Sequence, residues 1–130
     1  MPNTVLIIDD NQDDILITKR VFAKIAPDIM TESALSGEAG LALLRCEKVL
    51  PMFILLDLKM HGMGGLDALR QMRSDERLKN IPVIVLTSSA LESDERDAYA
   101  AGADSFINKA FDIEQFSIDM TRILKRYLSN

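Results

Sequence analysis

Four short apolar runs, each ending in a polar group, limit what this chain can fold into. Val5-Leu6-Ile7-Ile8 leads into Asp9-Asp10, and Phe53-Ile54-Leu55-Leu56 leads into Asp57. Val83-Ile84-Val85-Leu86 leads into Thr87, and a weaker run, Ser105-Phe106-Ile107-Asn108, leads into Lys109. Short runs without polar alternation mark strands buried on both faces, as in a parallel sheet. Parallel strands end on the same edge. Three carboxylates, a hydroxyl and an ammonium should therefore meet at one rim, where ligand sites of α/β sheets lie.

Helical segments alternate with these runs. Asp13 to Ala26 has an apolar stripe of Ile15, Leu16, Val21, Phe22 and Ile25, and Pro27 stops it. Met30 to Leu35 reads as a more polar edge strand. Ser36 is placed to cap a helix from Gly37 to about Glu47 that turns Leu41, Leu43 and Leu44 inward. A glycine-rich loop around Gly62, Gly64 and Gly65 follows Asp57 and opens a helix reaching about Asp75. A short helix over 91–101 ends at Gly102. A last helix from Asp112 to Leu128 carries Phe116, Met120, Ile123, Leu124 and Tyr127 at helical spacing, a core face. Five β-α units result, and right-handed crossovers put helices on both faces of the sheet. The expected fold is a doubly wound, five-stranded parallel sheet, for which the common order 2-1-3-4-5 is the natural choice.

At 130 residues the chain is expected to form one domain, 1–130, without an effector domain. A net charge of −5, without any dense Lys/Arg cluster, argues against direct binding to nucleic acid or to an anionic membrane. Cys46 is the only cysteine, no stretch approaches the roughly 20 apolar residues of a membrane span, and the N-terminus lacks a basic leader. The expectation is a soluble, cytoplasmic protein.

The set Asp9, Asp10, Asp57, Thr87 and Lys109 resembles that of two-component response-regulator receiver domains. Surrounding words match as well: Leu6-Ile7-Ile8-Asp9-Asp10-Asn11, Asp57-Leu58-Lys59-Met60, Gly65-Leu66-Asp67, Ala101-Gly102-Ala103-Asp104 and Lys109-Ala110-Phe111. On residue chemistry, three crowded carboxylates need a cation, and hard oxygen donors with open water positions suit Mg²⁺, or Mn²⁺ in its place. Asp10 and Asp57 are the expected direct ligands, with Asp9 bound directly or through water. The resemblance implies the backbone carbonyl of Lys59 as a further ligand. It also implies Asp57 as phosphoacceptor, with Thr87 and Lys109 holding phosphoryl oxygens. Its donor would be a phosphohistidine on a sensor histidine kinase or a histidine phosphotransfer protein. Thr87 and Phe106 would form the switch, and helix four, strand five and helix five the face for a downstream protein target. A homodimer through that face is a further expectation.

Each site residue also has an ordinary reading. Asp9 and Asp10 could cap the first helix and Asp57 the third; Thr87 could be a plain strand end, Lys109 a solvated lysine and Phe106 static core. All would have to hold together to remove the site.

The sequence departs from the family pattern in places. Ala110 stands where proline, joined by a cis bond, usually follows the lysine; a cis bond to alanine costs about 2.5–4 kcal/mol, so the sequence leaves the state of Lys109-Ala110 open. His61 replaces a common proline, and Gly64 a frequent aspartate. Lys59 and Ser89 are candidates for tuning water access to an acyl phosphate. The enzyme alternative is a Mg²⁺-dependent aspartyl-phosphate hydrolase of haloacid-dehalogenase type, whose second aspartate would fall at Lys59. A flavodoxin-like mononucleotide binder is a third reading, disfavoured by the acidic strand ends. The leading expectation is a phospho-acceptor, not an enzyme with turnover of its own beyond self-phosphorylation and self-dephosphorylation.

Overall fold

The computed structural model describes residues 3–46, 50–60, 62–88, 92–109 and 112–128. Five strands alternate with five helices: β1 (Thr4–Ile8), α1 (Gln12–Ile25), β2 (Met30–Ala34), α2 (Gly37–Cys46), β3 (Phe53–Asp57), α3 (Gly65–Ser74), β4 (Val83–Thr87), α4 (Glu92–Ala101), β5 (Ser105–Asn108) and α5 (Ile113–Leu128). All pairings are parallel, in the order β2-β1-β3-β4-β5. The expected fold is the observed one, with the polar β2 at an edge.

Residue parity along the strands sorts the core into two layers. Leu6, Ile8, Ile54, Leu56, Val83 and Val85 pack with Leu41, Leu44, Ala68, Leu69, Met72 and Ala98 of α2, α3 and α4. The intervening Val5, Ile7, Phe53, Leu55, Ile84 and Leu86 pack with Ile15, Val21 and Phe22 of α1 and with Phe116, Met120, Ile123 and Leu124 of α5. Both faces of β1, β3 and β4 are thereby closed to water, which is why these strands carry uninterrupted apolar runs.

Local signals set the helix ends. Asn11, not Asp9 or Asp10, caps α1, its side chain accepting from the Asp14 N–H at 3.1 Å. Ser36 caps α2 through the Ala39 N–H at 3.0 Å, as its sequence position implied. Gly64 precedes α3 with no side-chain cap, so Asp57 is not spent as one. Leu16 departs from expectation. It lies about 100° around the helix from Ile15 and is 48% exposed, because the inward face of α1 is centred on Ile15, Thr18, Val21 and Phe22. His61, Ser89 and the Lys109-Ala110 bond lie outside the described residues.

Candidate phosphoryl and metal site

Strand register brings the polar groups to one rim. Ile8 pairs with Leu56, Asp57 with Leu86, and Thr87 with Asn108, so β1, β3, β4 and β5 finish nearly level. The ladder runs one residue past the strands: Asp9 N–H donates to the Ala34 carbonyl at 3.1 Å, Leu58 N–H to Leu86 at 3.3 Å, and Lys109 N–H to Thr87 at 2.7 Å. Parity then divides the site. Asp9, Asp57 and Lys109 continue the rows of Ile7, Leu55 and Ile107, on the side of α1 and α5. Thr87 continues Val83 and Val85, on the side of α2, α3 and α4.

The Lys109 ammonium lies 2.7 Å from Asp9 Oδ2, 2.9 Å from Asp14 Oδ2 and 3.8 Å from Asp57 Oδ1, and its side chain is only 13% exposed. It is no solvated lysine. Asp9 is held at both oxygens, Oδ1 accepting the Asn11 N–H at 2.9 Å. Asp9, Asp10 and Asp57 each offer a ligand oxygen, and these three atoms lie within 4.8 Å of one another. Asp9 and Asp57 are buried and Asp10 is half-buried. Thr87 is buried at the end of β4, and Phe106 is half-buried against the layer formed with α2, α3 and α4.

The third helix begins immediately behind Asp57. A Cβ on Gly65 would fall on the Asp57 carbonyl oxygen and against the Leu58 Cα, so only glycine permits this approach. The Gly65 N–H donates to the Leu58 carbonyl at 3.1 Å.

Electrostatics follow from the crowding. Burial pushes the Asp57 carboxyl up to about 7; the Lys109 charge opposes this, while the Asp9 charge and a hydrogen bond with Asp9 add to it. The backbone N–H of Lys59 favours the carboxylate. Burial alone would lower the Lys109 ammonium, but hydrogen bonds to Asp9 and Asp14 and the charges of Asp57 and Asp9 more than offset it, so the group sits above the ordinary lysine value. Three hard oxygen donors, one of them reluctant to ionise without a neighbouring positive charge, suit a small divalent cation.

Among residues the sequence did not single out, Asp14 stands in the site through its contact with Lys109. In the sequence it reads as one of two acids in the first turn of a helix, where acids are ordinary. The Lys59 ammonium lies 3.6 Å from Asp94 Oδ2 in the first turn of α4. Glu38 of α2 accepts the Met63 N–H at 3.2 Å and so pins the loop that follows Asp57.

Comparison with known proteins agrees with this geometry. The family model described as the response regulator receiver domain matches residues 5–120. The chain is similar to the probable methanogenesis regulatory protein FilR2 of Methanothrix harundinacea (strain 6Ac), at 30% identity over 98% of this chain and 84% of that protein. It spans about half the length of a further relative, the heme response regulator HssR of Staphylococcus aureus (strain bovine RF122 / ET3-1), with 30% identity over 96% of this chain and 53% of that one. The solved structure of the phosphorylated cyanobacterial phytochrome response regulator RcpA superposes with a TM-score of 0.89 at 28% identity, covering 99% of this chain and 96% of the other. The Mn²⁺-bound form of response regulator Rcp1 superposes with a TM-score of 0.81 at 25% identity, covering 99% and 96%. A parallel sheet in the order 2-1-3-4-5, an acidic pocket with a lysine at its rim and a family match over most of the sequence place this chain among the response regulator receiver domains of two-component signalling.

Proposed function

We propose that Asp57 is the phosphoacceptor, that Asp9, Asp10, Asp57 and the Lys59 carbonyl hold Mg²⁺ or Mn²⁺, and that Thr87 and Lys109 bind the phosphoryl oxygens. The observation that carries this reading is the meeting of Asp9, Asp10, Asp57 and Lys109 at one rim, from three separate strand ends. The Mn²⁺ named with Rcp1 and the phosphorylation named with RcpA support it.

A bound divalent cation would neutralise carboxylate and phosphoryl charge at the rim. The rest falls to the chain's own groups. An ionised Asp57 oxygen attacks the phosphorus of a phosphohistidine; the P–N bond breaks, and the imidazole nitrogen leaves with the bonding electron pair. The product is an acyl phosphate on Asp57. Lys109 donates an N–H to one phosphoryl oxygen as a compact cation, and the Thr87 hydroxyl donates to another. Burial of Asp57 limits water at the new bond. Position 59, where a hydrolase of the haloacid-dehalogenase type would place a second carboxylate, carries an ammonium turned toward Asp94, which gives no support to turnover.

The phosphoryl group adds about −1.5 to −2 charges beside Thr87. Movement of Thr87 toward it opens space on the α4 side, where Phe106 packs, and the rotamer of Phe106 reports the state. Helix α4 buries only Ala98 among its described residues and is therefore the element most easily shifted. The proposed output face is α4, β5 and α5, open to a downstream protein target or to a second copy of the chain. The donors are a sensor histidine kinase or a histidine phosphotransfer protein. The proposed organisation is a single receiver domain over 1–130, working in the cytoplasm. Among the described residues no helix is long and apolar enough to cross a membrane.

The test is incubation with Mg²⁺ and acetyl phosphate followed by peptide mapping. The expected result is one added phosphoryl group on the peptide bearing Asp57, lost on chelation of the metal and in Asp57→Asn. A phosphoryl group on another residue, or none, refutes the assignment.

A further inference from the structure

Lys109 has three N–H donors and three carboxylate neighbours, and the neighbours are not equivalent. Asp9 Oδ2 and Asp14 Oδ2, at 2.7 and 2.9 Å, are hydrogen-bonded to it, whereas Asp57 Oδ1 at 3.8 Å is not. Asp9 and Asp57 belong to the carboxylate trio that suits a cation, and Asp57 also takes the phosphoryl group in the function proposed above. Both change partners during that cycle. Asp14 stands outside the trio. Its backbone is fixed in the first turn of α1, the N–H donating to Asn11 Oδ1 at 3.1 Å and the carbonyl accepting the Thr18 hydroxyl at 2.8 Å. Its neighbour Asp13 is exposed and has the same favourable position at the helix start, so a helix-dipole role does not account for the contact with Lys109.

We infer that Asp14 is a positioning residue: a standing anchor that keeps the Lys109 ammonium at the pocket while Asp9 and Asp57 turn to the cation and the phosphoryl group. This rests on the phospho-acceptor reading and deepens it. One Lys109 N–H stays with Asp14 throughout. The donors released by Asp9 are then offered to a phosphoryl oxygen from a fixed place, without the rotamer search of a free lysine.

The experiment compares initial rates of mass gain at Asp57, with Mg²⁺ and acetyl phosphate, in six forms: wild type, Asp14→Asn, Asp14→Glu, Asp13→Asn, Lys109→Ala and the double variant Asp14→Asn/Lys109→Ala. Asp14→Asn is expected to slow the rate about fivefold, the scale of one partly exposed charge-assisted contact. Asp13→Asn, which removes the same charge one residue away, is expected to match wild type. Asp14→Glu is expected to recover most of the rate. In the Lys109→Ala background Asp14→Asn is expected to add nothing, because its effect passes through the ammonium. A second readout needs no variant: the ¹⁵N resonance of the wild-type Lys109 ammonium should stay protected from solvent exchange when Mg²⁺ and beryllofluoride are added. An unchanged or faster rate in Asp14→Asn overturns the inference. So does an equal slowing in the Lys109→Ala background, or loss of the protected resonance on adding beryllofluoride. If wild type gains no mass at Asp57, the phospho-acceptor assignment falls and the anchor with it. If wild type gains mass and Asp14→Asn keeps pace, the anchor alone falls.

Discussion

The two edges of the sheet each hold a largely buried cation, and they settle its charge in opposite ways. Where the strands begin, Arg73 donates to the carbonyls of Gly102 at 2.9 Å, Lys79 at 3.1 Å and Ile81 at 2.8 Å, and to Asp104 Oδ2 at 2.9 Å. The same Asp104 oxygen accepts the Val83 N–H at 2.8 Å. One guanidinium meets one carboxylate, and its remaining donors go to neutral oxygens. Where the strands end, one ammonium serves Asp9, Asp14 and Asp57, with Asp10 beside them. Among the described residues, carboxylates outnumber the ammonium they share there. The first arrangement ties α3, α4 and β5 together. The second holds a carboxyl at about 7, ready to ionise when a cation arrives.

The strongest way to test this contrast is to remove the excess. Asp57→Asn should abolish phosphoryl uptake from acetyl phosphate while raising the melting temperature of the metal-free protein, since a crowded carboxyl is gone. A fall in melting temperature would mean that the acidic edge is not strained. The next effect is in pH. Folded Asp57 keeps its proton up to about pH 7, whereas the unfolded chain releases it near 3.8. Between those values the folded state binds more protons, so this group's contribution to stability is largest at the acid end and declines as pH rises through 7, by up to about 4 kcal/mol. Urea titrations in chelator across pH 4.5–8 would follow the decline. Added Mg²⁺, which competes with that proton, should stabilise more at pH 8 than at pH 5.5. At the opposite edge, Arg73→Ala should cost about 3 kcal/mol by urea denaturation, because Asp104 and several carbonyls lose their donor. It should leave Asp57 reactive. Smallest of all, Asn11→Ala should cost about 1 kcal/mol, the loss of a helix cap, and should show in urea denaturation as a lower midpoint with an unchanged slope.

Much of the acidic edge was legible in the sequence, because strand parity and level strand ends are enough to carry Asp9, Asp10, Asp57, Thr87 and Lys109 to a common rim. Ser36 as a cap was legible for the same reason: its signal lies within four residues. What could not be read depends on contacts between distant segments. Asp14 meets Lys109 across 95 positions of sequence, and Arg73 meets Asp104 across 31, so neither pair leaves a local pattern. Leu16 departs from the stripe because an apolar pattern tolerates a residue 100° out of line, whereas packing against α5 and the sheet does not. Lys59 is one more case: its backbone N–H lies at Asp57, while its ammonium meets Asp94, a partner 35 residues on.

The hydrogen bond from the Lys109 N–H to the Thr87 carbonyl means that the two side chains proposed to grip a phosphoryl group hang from a single rung of the ladder. Neither backbone can slide without pulling its neighbour. Substitutions at 87 and 109 should therefore be strongly non-additive, and any motion that begins with the hydroxyl reaches the root of α5 by way of the lysine.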